Sequence, residues 1–191
     1  MINWESKVPD INIKEISQLI RYLDLYRAVN LILYSLENPY IAITSHCQEE
    51  IQEHLRQSSC ELGGLLLGKT YALPFKTDHG YDFVTIASMC IPSENFRNSR
   101  VSLEMKSEIW NRARNHIEKG LYVLGWYHSH PDLGAFFSST DRTTQTSFFN
   151  HPYSIGIVID PVRNESRCYW GANSNELAIN FLIIPEGITL P

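Results

Sequence analysis

The sequence predicts one α/β domain in which a central mixed β-sheet is flanked by helices. The apolar stretches 121–127 and 153–160 are typical of strands that are buried on both faces. Residues 104–119 instead repeat apolar side chains every three or four positions up to Gly120, as a helix does. With 191 residues, of which 43% are hydrophobic, the chain can bury the core of one domain and still carry an appendage.

The appendage is predicted at the amino terminus, where residues 1–38 form a helical extension and residues 39–191 form the domain proper. Apolar residues recur every three or four positions across residues 10–37, which indicates an amphipathic helix. The denser apolar stretch 29–36 either continues that helix or forms a short strand. The extension either packs on the flank of the domain or docks a partner, and the sequence leaves both interpretations open.

The domain is predicted to begin with a strand at residues 40–43 and a helix from His46 to Arg56. His46 and His54 have no further metal-binding residue one turn away, so both are expected to be surface residues. Glu61 then opens an apolar strand at residues 62–67. The other predicted elements are a loop at 71–82, strands at 83–90 and 98–103, the helix 104–119, a helix ending near Phe149, and strands at 153–160, 167–170 and 177–184.

Composition argues against several classes of protein. A net charge of -5 and a pI near 5.8 do not suit nucleic-acid binding, which needs concentrated Lys and Arg. No apolar run is long enough to span a membrane and the amino terminus carries no secretion signal, so a cytoplasmic protein is expected. The four cysteines are widely spaced without a Cys-x-x-Cys pair, so reduced and mostly packed thiols are expected at Cys47, Cys60, Cys90 and Cys168.

Two histidines and an aspartate form the main candidate site. His128 and His130 alternate at the end of an apolar strand, so both imidazoles should project to the same side. Pro131 ends the strand, and Ser138 is the expected N-cap of a helix with Asp141 in its first turn. Taken alone, His-x-His is mostly a chance pattern and Ser-x-x-Asp mostly a helix cap. Together they predict a zinc site with an open fourth position, the arrangement of catalytic zinc.

These motifs carry a family resemblance. His-Ser-His-Pro at 128–131, the seven residues that follow His130, and Ser-Ser-Thr-Asp at 138–141 resemble the signature of the JAMM/MPN metalloproteases. An upstream glutamate that opens a glycine-containing strand completes that signature, and the stretch 61–68 fits it. The resemblance extends over residues 40–184 or so and implies a single MPN-like domain.

The resemblance also implies a reaction. Zinc held by His128, His130 and Asp141 would activate water, Glu61 would act as general base and then general acid, and the Ser138 hydroxyl would donate to the oxyanion. The expected substrates are conjugates or precursors of ubiquitin or a ubiquitin-like protein, with other components of a bacterial ubiquitin-like conjugation system as possible partners. The Phe136-Phe137 pair is either a wall of the channel for the substrate's tail or part of the core.

Other interpretations stay open. An MPN subunit that only assembles a complex would have the same fold, although such relatives generally lack the metal ligands that are present here. A small-molecule peptidase and a relative associated with DNA repair are further alternatives. A zinc deaminase is disfavoured because its His-x-Glu and Pro-Cys-x-x-Cys patterns are missing.

Overall fold

The computed structural model describes residues 13–93, 107–117 and 120–185. The strands within these ranges are β1 (Lys14–Glu15), β2 (Tyr40–Thr44), β3 (Gly63–Ala72), β4 (Phe83–Pro92), β5 (Tyr122–Ser129), β6 (Ile155–Asp160), β7 (Glu165–Trp170), β8 (Asn175–Glu176) and β9 (Leu182–Ile184). They form one sheet in the order β8-β7-β6-β5-β3-β4-β2-β9, and β1 pairs with β3.

The sheet is mixed, which confirms the predicted fold class. The central strand β3 runs antiparallel to β4 and β5, whereas β5 and β6 are parallel and so are β2 and β4. Parallel neighbours need a crossover, and a helix provides it between β5 and β6. The carboxyl end of β5 therefore lies near the amino end of that helix.

Helices flank the sheet. They are α1 (Ile16–Ile20), α2 (Leu25–Glu37), α3 (Ser45–Leu55), α4 (Ser107–Ile117) and α5 (Ser139–Phe148). None of the helices in the part of the chain that the structure describes is long and apolar enough to cross a bilayer.

Each face of the sheet has its own hydrophobic core, because successive strand residues point to opposite sides. Leu66 belongs to the cluster under α3, which includes Ile51 and Tyr127. Its neighbour Leu65 belongs to the cluster under α4, which includes Trp126. A third cluster packs α1 and α2 against residues of β2, β3, β4 and β9. Its buried members are Ile16, Leu19, Leu31, Ala42, Tyr71, Leu73, Val84, Ile86 and Ile184.

The apolar pattern over residues 10–37 predicted a single helix, but the structure contains two, α1 and α2. Two i to i+3 hydrogen bonds end the first helix after Ile20, and Asp24 then starts α2 as its N-cap, accepting from the Arg27 N–H at 2.8 Å. Apolar spacing alone does not show such a break, because the turn keeps the periodicity. The stretch 29–36 lies inside α2, so its helical interpretation is correct. The domain boundary at residue 38 stays a prediction.

Other boundaries also differ from the prediction. β3 continues to Ala72, where a loop had been predicted, because Tyr71 and Ala72 pair with both β1 and β4. Only Leu182–Ile184 of the predicted strand 177–184 forms a parallel pair with β2. The predicted strand 98–103 lies outside the described residues, as do the two ends of the predicted helix 104–119.

One predicted surface histidine is buried. His54 is 7% exposed, and its Nδ1 lies 2.9 Å from the Tyr127 hydroxyl beneath the sheet. Burial lowers the pKa of His54 and so favours the neutral ring, which forms one hydrogen bond with that hydroxyl. His46, in contrast, is exposed beside Glu50, as expected. All four cysteines are free thiols.

Candidate metal centre

The two histidines of the predicted site lie at the carboxyl end of β5. His128 pairs with Gly63 of β3 on one side and with Val158 of β6 on the other. The His130 N–H donates to the Ile159 carbonyl oxygen at 2.9 Å, which continues this pairing one residue past β5. The two rings therefore point the same way, and their Nε2 atoms are 3.2 Å apart.

Asp141 approaches the histidines from the first turn of α5. The Asp141 N–H donates to Ser138 Oγ at 3.2 Å, and Asp141 Oδ2 accepts from the Ser138 N–H at 2.7 Å. This reciprocal pair is a capping box, and it holds the carboxylate in place. The other oxygen, Oδ1, lies 3.3 Å from Nε2 of His128. Asp141 is thus both part of the cap and a neighbour of the imidazoles.

The separations within this group fit a tetrahedral metal ion. The ligand atoms of His128, His130 and Asp141 all lie within 4.8 Å of one another. The two Nε2 atoms are 3.2 Å apart, Nε2 of His128 is 3.3 Å from Asp141 Oδ1, and Nε2 of His130 is 3.6 Å from Asp141 Oδ2. Ligands at zinc bond lengths occupy tetrahedron corners that are about 3.3 Å apart. The group could therefore hold such an ion and leave one corner for another molecule.

Electrostatics also favour a cation at this place. All three side chains are buried. Burial is the main cause that lowers the pKa of His130, and the electrostatic effect of His128 lowers it further. The His130 ring therefore stays neutral and keeps a lone pair for a metal. Burial by itself would raise the pKa of Asp141, but His128 and the hydrogen bonds with Ser138 outweigh it, and the pKa lies below its ordinary value. The result is a buried carboxylate anion beside the neutral ring of His130.

Aromatic neighbours set the orientation of the imidazoles. Trp126 stacks on His128 with ring centroids 4.5 Å apart and an interplanar angle of 8°. The indole N–H in turn donates to Gln145 Oε1 of α5 at 2.8 Å. Phe136 packs edge-on against His130, with ring centroids 5.0 Å apart. The Nδ1 atom of His128 has no hydrogen-bond partner among the described residues, so stacking on Trp126 is what orients that ring.

A buried aspartate organises the loop between His130 and Ser138. Asp160, at the end of β6, is fully buried and accepts from the N–H groups of Asp132 at 3.0 Å and Gly134 at 2.7 Å. Asp132 and Gly134 have φ values of 59° and 92°, so the loop turns through left-handed backbone. The N–H groups of the β6–β7 turn contribute two further hydrogen bonds to Asp160. These hydrogen bonds lower its pKa even though burial acts in the opposite direction.

Glu61 lies beside the triad, just before β3. Its Oε1 is 3.9 Å from Nε2 of His130, and its side chain is 19% exposed. The adjoining Leu62 is bound to the residue between the histidines: its N–H donates to Ser129 Oγ at 3.0 Å, and its carbonyl oxygen accepts from the Ser129 N–H at 2.8 Å. Strand register therefore sets the distance from Glu61 to the imidazoles. Burial raises the pKa of Glu61 and outweighs the opposing effect of His128.

The structure thus brings together the residues that the motif predicted, but it divides the aromatic pair. Phe137 is buried and stacks on Tyr169 with ring centroids 4.0 Å apart, so it belongs to the core. Phe136 is 47% exposed next to His130, and Leu133 of the same loop is 59% exposed. An apolar rim beside the site therefore consists of Leu133 and Phe136.

Sequence reasoning missed the supporting residues Trp126, Gln145 and Asp160. Trp126 occurs two positions before His128, so strand alternation could have placed it on the same face. Gln145 follows Asp141 by one helical turn, which points to the same side of α5. Asp160 is the polar end of an apolar strand before Pro161, but nothing in the sequence shows that its partners lie in the loop after His130.

Comparison with known proteins identifies a family and several relatives. The family model for prokaryotic homologs of the JAB domain matches residues 44–170. COP9 signalosome complex subunit 5 of Eremothecium gossypii is 36% identical over 87 residues, covering 44% of this chain and 20% of that protein. Ubiquitin carboxyl-terminal hydrolase RPN11 of Saccharomyces cerevisiae is 30% identical over 109 residues, covering 54% and 32%. AMSH-like protease of Mus musculus is 30% identical over 97 residues, covering 50% and 22%.

The chain therefore spans about a fifth to a third of the length of these curated relatives. Among solved structures, protein DSY2949 of Desulfitobacterium hafniense aligns with a TM-score of 0.57 and 22% identity over 76% of this chain and 94% of that one, which shows the shared fold. The resemblance to the JAMM/MPN family is confirmed, and the chain belongs to the prokaryotic homologs of the JAB domain.

Proposed function

We propose that this chain is a zinc-dependent hydrolase that cleaves the isopeptide or peptide bond after the carboxy-terminal tail of ubiquitin or a ubiquitin-like protein. The observation that carries the proposal is the convergence of His128, His130 and Asp141 within 4.8 Å, with Glu61 3.9 Å from His130. The same proposal assigns residues 39–191 to the metalloprotease domain and residues 1–38 to a helical extension.

The metal would be held by Nε2 of both histidines and by the Asp141 carboxylate. When bound, zinc supplies a Lewis acid that makes water more acidic and polarises the scissile carbonyl. Two nitrogens and one oxygen as ligands, with an open fourth position, suit that role. Burial of the three side chains keeps bulk water from replacing them as ligands of the ion.

Glu61 would move the proton. The carboxylate lies at the edge of the triad, where it can accept a proton from the attacking water and then deliver it to the departing amine. Both tasks require a carboxyl group that exists in either protonation state during turnover. The raised pKa of Glu61 supports this role because a higher pKa brings the protonated form closer to neutral pH.

Ser138 would stabilise the oxyanion. In the capping box its Oγ acts as an acceptor for the Asp141 N–H, which leaves the hydroxyl proton to be donated elsewhere. Capping and oxyanion binding therefore use different sides of the same hydroxyl. A donor of this kind is worth roughly 100-fold to 1,000-fold in kcat in comparable oxyanion sites.

Support for the substrate class comes from the relatives and from the rim of the site. One relative is a ubiquitin carboxyl-terminal hydrolase, and another is named a protease. Leu133 and Phe136 leave apolar surface on the loop that follows His130, next to where an extended tail would have to enter. We therefore place the tail of a ubiquitin-like protein along this rim.

The test is cleavage of purified fusions in which ubiquitin or a bacterial ubiquitin-like protein precedes a reporter. Wild-type protein loaded with zinc should cleave at the fusion junction, and Glu61→Ala should keep stoichiometric zinc but lose at least 100-fold in rate. Glu49→Ala, an exposed carboxylate on α3, is the control and should cleave normally.

The other outcomes identify which part of the proposal is wrong. Cleavage by Glu61→Ala at the wild-type rate would remove the proton-transfer role. Zinc binding without cleavage of any fusion would exclude the substrate class. A wild-type chain that does not take up zinc would support the alternative, a non-catalytic subunit of an assembly.

A further inference from the structure

Helix α2 is apolar on two sides, and the domain covers only one of them. Its inner face, with Ala28, Leu31 and Ser35, is buried. On the outer face Tyr26 is 79% exposed, Val29 46%, Leu33 56% and Leu36 47%. Tyr22 and Leu25 extend the same surface at 60% and 80% exposure. These six side chains are half of the twelve large hydrophobic ones that are exposed among the described residues.

The outer residues follow the spacing of a helix-pairing seam. Tyr26, Val29, Leu33 and Leu36 are separated by three, four and three positions, which is the a-d-a-d pattern of a heptad repeat. A heptad seam packs against another helix, whereas a solvent-exposed helix face is normally polar. The spacing of the seam therefore indicates that it packs against another helix.

The seam is symmetric in a way that suits a second copy of the chain. If two α2 helices pack antiparallel about the level of Leu31, Tyr26 faces the partner's Leu36 and Val29 faces the partner's Leu33. Each layer then combines a larger with a smaller side chain, and the same patch serves both subunits, as a two-fold interface requires. No charged residue lies within the seam itself.

The exposed area is also of the right size. Tyrosine and leucine side chains at these exposures leave on the order of 100 Å² each, so the six together leave roughly 600 to 800 Å². A stable protein–protein interface buries about 800 Å² on each partner.

Three seam residues, Tyr26, Leu33 and Leu36, line a groove of about 650 Å³ whose other lining residues include Tyr34 and Leu182. In the antiparallel arrangement the partner's Tyr26 would lie over Leu36, at the edge of this groove. The groove therefore has room for the largest side chain of the seam.

We infer that the chain forms a two-fold symmetric dimer in which the α2 helices pack antiparallel through Tyr26, Val29, Leu33 and Leu36. This interface is separate from the metal centre and does not depend on the proposed catalysis. It gives the amino-terminal extension a docking role in addition to its packing on the sheet.

The first test is the molar mass in solution at about 50 µM, by light scattering after gel filtration, a concentration at which a micromolar dimer is mostly associated. Wild type should have the mass of a dimer, and Leu33→Glu and Leu36→Glu should each have the mass of a monomer. Leu133→Glu is the matched control: Leu133 is 59% exposed, close to the 56% of Leu33, and its replacement should leave the dimer intact. Circular dichroism should show folded protein for every variant, because none of these leucines is buried.

The second test fixes the register. The double variant Val29→Cys, Leu33→Cys should form a covalent dimer under mild oxidation, because residues 29 and 33 oppose each other across the seam. Val29→Cys alone should not, since the two copies of residue 29 are offset by about 6 Å along the helices, from the rise of 1.5 Å per residue. A monomeric wild type would overturn the proposal and assign the seam to another protein or to the chain's own terminal segments. A dimer that survives both glutamate substitutions would overturn the choice of face.

Discussion

At the scale of single residues, the centre depends on side chains that serve two purposes. Asp141 places one oxygen in the capping box and the other beside His128. Ser138 accepts from the helix and keeps a proton to donate. Such double use explains why a sequence can identify these positions: both functions impose the same residue types at the same spacing.

Replacing Ser138 separates its two roles. Ser138→Ala should lower the free energy of unfolding by about 1 kcal/mol through loss of the cap, and kcat by roughly 100-fold through loss of the oxyanion donor. Thr44→Ala is the matched control, since Thr44 caps α3 through a 3.3 Å bond from the Cys47 N–H. It should cost similar stability and leave kcat unchanged. Equal kcat values for the two variants in the fusion-cleavage assay would reduce Ser138 to a cap.

At the scale of elements, the site belongs to the crossover from β5 through α5 to β6. His128 lies near the end of β5, His130 is the residue that follows this strand, and Asp141 lies in the first turn of α5. Asp160 at the end of β6 then binds the loop that connects them. The relative position of the three side chains therefore depends on β5, α5 and β6, although β6 contributes none of them.

Removing the charge of Asp160 should disturb the metal centre from a distance. Asp160→Asn loses acceptor capacity for the N–H groups of Asp132 and Gly134, so the loop relaxes and the zinc affinity should fall 10-fold to 100-fold. The control is Asp82→Asn, since Asp82 accepts from the Thr77 N–H at 2.8 Å in a turn outside the metal loop. Competition with a chromogenic chelator measures both affinities. Equal zinc affinity in Asp160→Asn and wild type would limit Asp160 to general stability.

What could be predicted from the sequence follows the range of the interactions. The His-x-His pair, the cap and the buried strands are local patterns, and the structure contains them. The break between α1 and α2 lies inside an unbroken apolar periodicity, and the length of β3 depends on pairing with β1. The burial of His54 depends on the Tyr127 hydroxyl, 73 positions away. Contacts of this kind have no local signature.

At the scale of the whole molecule, zinc should stabilise the fold. A ligand that binds only the folded state adds about 4 kcal/mol when its free concentration is 1,000 times Kd, which raises Tm by roughly 10 °C for a chain of this size. Scanning calorimetry with zinc and with excess chelator measures the difference. His128→Ala should abolish the shift, whereas His46→Ala, at an exposed position on α3, should retain it. A shift that persists in His128→Ala would place the zinc elsewhere.

The paired hydrogen bonds between Leu62 and Ser129 have a consequence for how a metal ion would be taken up. They join the residues next to Glu61, His128 and His130 in the fold itself, so these side chains are preassembled before any ion arrives. Loading should then proceed without rearrangement, and amide exchange in β3 and β5 should be slow already in the apoprotein.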